Sequence, residues 1–458
     1  MQERMAPFLV VALAGLLVSP SGCRRIETPP PGSVRTKVVY ASDKHLGFPG
    51  AVRLHDGTLL VAFREGSGHV SPDGAILITR STDNGRTWTK PDTLADTIFD
   101  DRDPSLAEIP GGMVLANFFA IEDGPRGRSI FLHLARSADE GKTWSEPMPV
   151  RVPGMSWVAC SDNILPLPNG ALLLPAYGNP EGDSVNSAFA LISEDLGMTW
   201  NRWVLIARDS TGQVGYNEPA LAILPDQRLL CVLRTAGAQH WMAVSFSSDW
   251  GLTWSQPVFV DVQGEAPDVL VTRDRRLVMG YRDFSPRGVS LRFSYDGGRT
   301  WEGEWPIYSG FGDLAYASIV EVPDHQLLVF YYADRAAWRF GRPEKRAAIL
   351  MARLALDPMR PPTGLSASYK DTATVSLRWN RVRSAHYYRI YRTERPDALG
   401  EVIIECTENQ CLLRVDPADS LAYYRVTAVS STNEGLPDYL VQTPPSEAIR
   451  PRRSPHKR

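Results

Sequence analysis

The side chains best equipped for chemistry stand at the ends of short apolar runs. Tyr216-Asn217-Glu218-Pro219 precedes one such run, and Arg234 closes the next. Arg282-Asp283 closes another, Arg287 follows a short loop later, and Asp313-Leu314-Ala315-Tyr316 opens the run after that. Nearer the N-terminus, Asp100-Asp101-Arg102-Asp103-Pro104 opens a run, and Arg64-Glu65 closes one, followed by His69 and Asp73. Carboxyl and imidazole groups serve proton transfer, and guanidinium groups hold anions. An unperturbed imidazole titrates near pH ~6.5, which suits His69 to that work. No C-x-x-C or H-x-x-x-H spacing occurs, so neither a metal site nor a cofactor is implied.

Groups so far apart act together only if the fold gathers them. One eight-residue phrase recurs as STDNGRTW (81–88), SADEGKTW (137–144), SEDLGMTW (193–200), SSDWGLTW (247–254) and SYDGGRTW (294–301), with starts 56, 56, 54 and 47 residues apart. A period of this size means stacked supersecondary units. In each phrase the Asp can cap its own turn, the Gly supplies positive φ, the Thr hydroxyl can close the turn and the Trp can pack between units. Before each phrase, and once after the last, two apolar runs flank a D-G or P-D type turn, as in NILPLPNGALLLPAYG and SIVEVPDHQLLVFYYA. That is the hairpin signature. The six hairpins and five phrases predict four strands per unit, the last unit being completed by the early strand Lys37–Tyr40. The expectation is an all-β, six-bladed β-propeller over 36–356, a ring that leaves no open sheet edge. In such a ring the innermost strands converge on a central pocket, where the charged strand ends named above would meet.

The repeated phrase resembles the Asp-box (BNR repeat) of the sialidase (neuraminidase) superfamily, where it is a peripheral folding element. The resemblance implies an active site built from a Tyr nucleophile activated by a Glu, an Asp acid/base and three Arg that clamp a substrate carboxylate. Asn217-Glu218, ahead of a hairpin ending in Arg234, matches the stretch with the family's Glu and second Arg; Ala315-Tyr316 matches the nucleophile. Arg282 or Arg287 would be the third Arg. Gly47-Phe48-Pro49 stands where the family has Arg-Ile-Pro, so the first Arg is absent, with Arg53 and Arg64 as non-matching substitutes. The acid/base falls to Asp73 or His69, and Asp101 and Asp103 are further candidates for sugar contact. The implied function is an exported exo-glycosidase that retains configuration and removes sialic acid or another acidic or deoxy sugar from a glycan. Two rivals are a non-catalytic glycan-binding propeller displayed at the cell surface and a scaffold without ligand.

Beyond Arg360-Pro361-Pro362 the runs SLRWNRV, YYRIYRT and YYRVTAVSSTNEG, anchored by Trp379 and Tyr423 or Tyr424, resemble a fibronectin type III sandwich over 361–450. At the other end, the apolar run Phe8–Val18 is of signal-peptide length, and Gly22-Cys23 resembles a lipoprotein cleavage site with Cys23 lipidated. Residues 24–35, with Pro29-Pro30-Pro31, read as a linker. The expected location is the cell envelope, with membrane contact only through that lipid. Cys406 and Cys411 flank a short loop and could close a hairpin disulfide, whereas Cys160 and Cys231 lie in apolar runs as buried thiols. Net charge is −3, and the basic tail 451–458 is short, so no nucleic-acid partner is implied and a monomer is expected.

Overall fold

The computed structural model describes residues 34–356, apart from 125–126 and 286, and 362–382, 385, 387–396, 398, 400–415, 422–429, 446 and 448–451. The leader with Cys23, the three prolines at 29–31, Arg360-Pro361 and the tail 452–458 lie outside the described residues.

Strand follows strand through the first region, which has one 3-10 turn, Ala337–Phe340. Its strands form six antiparallel sheets, each entered at its innermost strand: His45–Arg53, Asp100–Glu108, Met155–Ala159, Gly215–Ile223, Glu265–Val271 and Leu314–Val322. Each of these inner regions touches the next sheet, and the sixth touches the first, so the sheets stand around a common axis. The second strands, such as Leu59–Gly66 and Gln326–Ala333, are buried on both faces, which explains their near-continuous apolar runs. Arg35–Ser42 pairs antiparallel with Ala347–Ala355 and becomes the outer strand of the sixth sheet, joining the beginning of the ring to its end. The third sheet departs from the expected single inner strand. Its chain breaks between Met155–Ala159 and the two-residue strand Leu165–Pro166, and the intervening Ser161, Asp162 and Asn163 turn to the axis.

The repeated phrase closes a turn at the periphery. In the first copy Asp83 accepts from the amides of Arg86 (2.8 Å) and Thr87 (2.9 Å) and from the Thr87 hydroxyl (2.6 Å), and Ser81 Oγ accepts from the Gly85 amide (2.9 Å). The turns also link neighbours. Arg80 donates to the Glu140 carbonyl in the second copy, Arg136 to the Gly197 carbonyl in the third, and Arg353 of the sixth sheet to the Asn84 carbonyl in the first. Trp88 packs edge-on against Phe330, across the join between first and sixth sheets (5.7 Å).

Five inner strands carry a bulge at the same height, where register slips at Gly47/Gly50, Arg102/Ser105, Asn217/Ala220, Glu265/Asp268 and Ala315/Ser318. At each bulge a non-glycine residue has positive φ: Phe48 (54°), Asp103 (48°), Glu218 (43°), Ala266 (49°) and Tyr316 (49°). Such backbone costs about 1–3 kcal/mol per residue and persists where the surroundings over-determine it. Just below, side chains tie one sheet to the next: Ser318 Oγ accepts from the Ala51 amide (3.0 Å), Asn163 from Leu106 (3.2 Å), Asp162 from Leu221 (3.0 Å) and Asp268 from Ile319 (2.5 Å).

The second region has two three-stranded sheets, Ser366–Tyr369/Thr374–Arg378/Gln410–Arg414 and Glu401–Cys406/Tyr387–Thr393/Tyr423–Val429. They share a core in which Trp379, Tyr388 and Tyr424 are buried; Tyr423 instead lies under the Arg450 guanidinium, 4.6 Å away. The expected hairpin disulfide is not formed: Cys406 and Cys411 are free thiols. Their strands belong to different sheets, so the loop between them is a corner crossing from sheet to sheet.

Candidate active site

The five bulges set the site's geometry, because each turns one side chain toward the axis. Glu218 and Tyr316 come from strands 98 residues apart, and the Tyr316 hydroxyl donates to Glu218 Oε1 at 2.7 Å. Arg234 Nη1 donates to the same oxygen (2.7 Å), and the Ala266 amide to Oε2 (3.0 Å). The Glu218 carboxylate is therefore fixed by three donors. Burial pushes the Tyr316 phenol well above its ordinary pKa and the negative charges of Glu218 and Asp103 add to that, while Arg282 and Arg234 pull it back. At rest Tyr316 is a neutral phenol with its proton already on the line to a base.

Two arginines flank the pair. Arg234 Nη2 donates to Glu265 Oε1 (2.8 Å) and Arg282 Nη1 to Glu265 Oε2 (3.1 Å), so one carboxylate bridges both. The Arg282 guanidinium carbon stands 5.1 Å from the centre of the Tyr316 ring. Phe48, at the first sheet's bulge, packs edge-on against Tyr316 (4.9 Å) and carries the Arg102 guanidinium over its face (4.8 Å). Asp103 is buried with one oxygen unpartnered. Burial first, and then the nearby Glu218 charge, raise its pKa to about 7 against the pull of Arg102.

A second cluster borders this one. Asp313 Oδ2 meets His45 Nε2 (2.7 Å) and His69 Nδ1 (2.5 Å), and its Oδ1 accepts from the Tyr332 hydroxyl (2.6 Å). Burial favours the neutral acid, yet these hydrogen bonds hold Asp313 well below the usual carboxylate range. The His45, His69 and Asp313 ligand-type atoms lie within 4.8 Å of one another, which raises the question of a cation. Arg102 Nη2 lies 3.3 Å from His69 Nε2, and a guanidinium can only donate. The His69 proton therefore sits on Nδ1, facing Asp313, and the three groups form a hydrogen-bonded chain rather than lone pairs aimed at a metal. Asp313 orients the imidazole, as a carboxylate does in hydrolytic triads.

The remaining sequence candidates lie apart from this centre. Asp73 is held by the Ser67 amide (2.9 Å) and hydroxyl (2.8 Å) and by Lys44 (3.2 Å); the Ser67 amide leads in depressing its pKa. It shapes the loop that carries His69. Arg64 is fully buried and pins that loop through Gly68, Ser71 and Asp100. Asp101 accepts from the Thr97 amide and hydroxyl, both at 2.7 Å. Arg287 is exposed at a strand start opposite Phe284, so of the two candidates only Arg282 reaches the centre. Arg53 ends the first inner strand at the opposite side of the ring. Gly47 stands at the sequence position of the absent clamp residue, and the Arg102 guanidinium lies over the neighbouring Phe48 ring (4.8 Å). Sequence reasoning passed over Glu265, His45 and Tyr332 as site residues and named Asp313 only as a charged strand end. A signal existed in Phe48-Pro49, Asp103-Pro104, Glu218-Pro219 and Ala266-Pro267, a proline following four of the five bulge residues, Tyr316 being the exception.

Comparison with known proteins bears on the family and the fold. A sialidase of Micromonospora viridifaciens is 26% identical over 319 residues, covering 59% of this chain and 47% of that protein. A sialidase of Bacteroides fragilis (strain YCH46) is 24% identical over 336 residues, covering 63% of this chain and 60% of that protein. The chain thus spans about half to three fifths of the length of these relatives. Among solved structures, a Dyadobacter fermentans protein of unknown function superposes with a TM-score of 0.61 at 24% identity, over 71% of this chain and all of that one, a likeness of fold. The family model for the BNR repeat-like domain matches residues 57–329, more than half of the chain, and the protein belongs to that family, within the sialidase superfamily.

Proposed function

We propose that the protein is a glycoside hydrolase that removes a terminal sugar from a glycan with retention of configuration, Tyr316 being the nucleophile and Glu218 its base. The observation that carries the reading is the 2.7 Å hydrogen bond from a buried phenol to a carboxylate at the ring's centre. Relatives named sialidase support the reaction class.

In the first step the Tyr316 oxygen attacks the anomeric carbon as its proton passes to Glu218. The bond to the leaving oxygen breaks, and that oxygen takes the Nε2 proton of imidazolium His69, a ring that Asp313 holds through Nδ1 and whose Nε2 must leave the Arg102 guanidinium it faces at rest (3.3 Å). Arg234 and Arg282, whose charges favour the ionised phenol, stabilise negative charge as it develops on the tyrosyl oxygen. In the second step His69 takes a proton from water, the water oxygen attacks the anomeric carbon, and Tyr316 departs, recovering its proton from Glu218. Glycosidases of this type replace the commoner pair of carboxylates with Tyr and Glu.

The test is turnover of a panel of fluorogenic glycosides by wild type, Tyr316→Phe and Glu218→Gln. Removing the base should slow hydrolysis by about 10²–10⁴, and Tyr316→Phe should bring it to background. Wild-type turnover no different from both variants removes the catalytic claim; glycan binding without turnover turns the site into a lectin.

A further inference from the structure

The family resemblance implies that three guanidinium groups clamp a carboxylate on the substrate's anomeric carbon. In this chain the clamp is closed on itself. Where the first Arg would stand the chain has Gly47, and Phe48 beside it is 2% exposed and packed among Tyr316, Tyr332 and His69. The other two guanidiniums hold a carboxylate of the protein: Glu265 sits between Arg234 (2.8 Å) and Arg282 (3.1 Å), and His240 Nδ1 approaches it at 3.2 Å. The remaining nitrogens do not open a second fork, Arg234 Nε being a single buried N–H without a partner. Arg234 Nη1 is on Glu218 (2.7 Å); Arg282 Nε is on the Leu314 carbonyl (3.0 Å), and its Nη2 on the Tyr332 hydroxyl (3.2 Å).

Glu265 is held in place by its backbone. It stands opposite Arg282 in the strand register and directly precedes Ala266, whose amide secures Glu218. Its side chain can swing out only by breaking the bonds to both Arg234 and Arg282. An incoming carboxylate would have to displace Glu265, buried and twice charge-paired, or bind beside Glu218, Glu265 and Asp313 with no two-nitrogen fork of Arg234 or Arg282 to meet it. Charge-assisted hydrogen bonds are the strong ones, and an unpaired buried charge is costly.

We infer that the site takes a glycoside whose anomeric carbon carries no carboxylate, that is, a neutral sugar, and that sialic acid is excluded by Glu265, which occupies the two guanidiniums, and by Gly47, which offers none in place of the third. The inference rests on reading the centre as a glycosidase site. It does not depend on whether Tyr316 or Glu218 forms the bond to carbon. Asp103 and Asp313, which line the same centre, offer hydroxyl-binding groups that a neutral ring can use.

The experiment compares an α-sialoside with neutral fluorogenic pyranosides and furanosides, using the full chain as wild type and as Tyr316→Phe. Binding of free N-acetylneuraminate and of neutral monosaccharides is measured in parallel by saturation-transfer NMR. Expected is Tyr316-dependent turnover of a neutral glycoside, with the sialoside slower by at least about tenfold, the least that one missing charged hydrogen bond costs. The double variant Gly47→Arg/Glu265→Gln, which frees the fork and restores the third guanidinium, should gain N-acetylneuraminate binding by at least about the same factor. Sialoside turnover matching the best neutral glycoside, and lost in Tyr316→Phe, overturns the inference and leaves the hydrolase reading standing. Absence of turnover in both series removes the hydrolase reading. Wild-type binding of N-acetylneuraminate at least as tight as of any neutral sugar overturns the inference whatever the kinetics show, and wild type needs no variant to fold.

Discussion

At the scale of single residues, Asp103 is the group whose ionisation should be seen near neutrality. Burial is the main reason its pKa stands at about 7, and the Glu218 charge adds to it. Below that value Asp103 is a neutral acid able to donate to a sugar hydroxyl; above it, a second carboxylate faces Glu218. Substrate affinity should therefore fall as pH rises through about 7. Asp103→Asn, which keeps a donor at every pH, should show a flat KM over that range. If KM of the variant climbs as in wild type, the rise belongs to another group. The residues also differ in how far sequence alone reveals them. Glu218 and Tyr316 can be found because each lies beside a recognisable local pattern at the head of an apolar hairpin. Glu265 has no such marker, and Asp313 showed only as a charged strand end, since both act through partners 17 and 19 residues or more away. His69 was readable as an acid/base candidate beside Asp73, but the choice between them was not, because the Asp313 that orients it arrives from 244 residues downstream. Asp73 misleads for the opposite reason: a carboxylate two residues past Ser71 and next to Gly74 looks available in sequence, and its loop consumes it.

Among the elements, the repeated turn is the most legible and the least involved in chemistry. Every part of STDNGRTW has a local partner, so five similar octapeptides announce the architecture without reference to the rest of the chain. The third inner strand was harder to read, because Asp162 and Asn163 interrupt it for the sake of amides in the second and fourth sheets. Such a turn can be weakened without touching the centre. Asp83→Ala removes the acceptor for two amides and two hydroxyls. Allowing for exposure, the loss should be about 1–2 kcal/mol of unfolding free energy, read from urea midpoints. Turnover per folded molecule should not change. A larger loss accompanied by a changed KM would mean that the turn communicates with the centre through Trp88 and the sixth sheet.

For the molecule as a whole, the ring's stability should peak between two opposing titrations. The turn carboxylates Asp83, Asp139 and Asp195 are held below their ordinary pKa, with hydrogen bonds from their own turns outweighing what burial adds. Their stabilisation is present above the unfolded value of about 4 and is lost as pH falls. The axis behaves in the reverse sense. Asp162 and Asp268 line a cavity of about 20 Å³ below Tyr316 and Phe48. Burial raises both, Asp268 to about 7, and the Asp268 charge raises Asp162 further. A carboxyl whose folded pKa is raised contributes stability that is complete below about 4 and disappears as pH climbs through its folded value. Wild type should accordingly unfold at a higher urea concentration at pH ~5 than at pH ~8. Asp268→Asn keeps the acceptor for the Ile319 amide, removes one of these titrations and relieves Asp162 of a charge, so it should narrow that difference. An unchanged difference would mean that Asp268 stays neutral across the range. The pH dependence would then rest on Asp103, and the two could be told apart by repeating the comparison in Asp103→Asn.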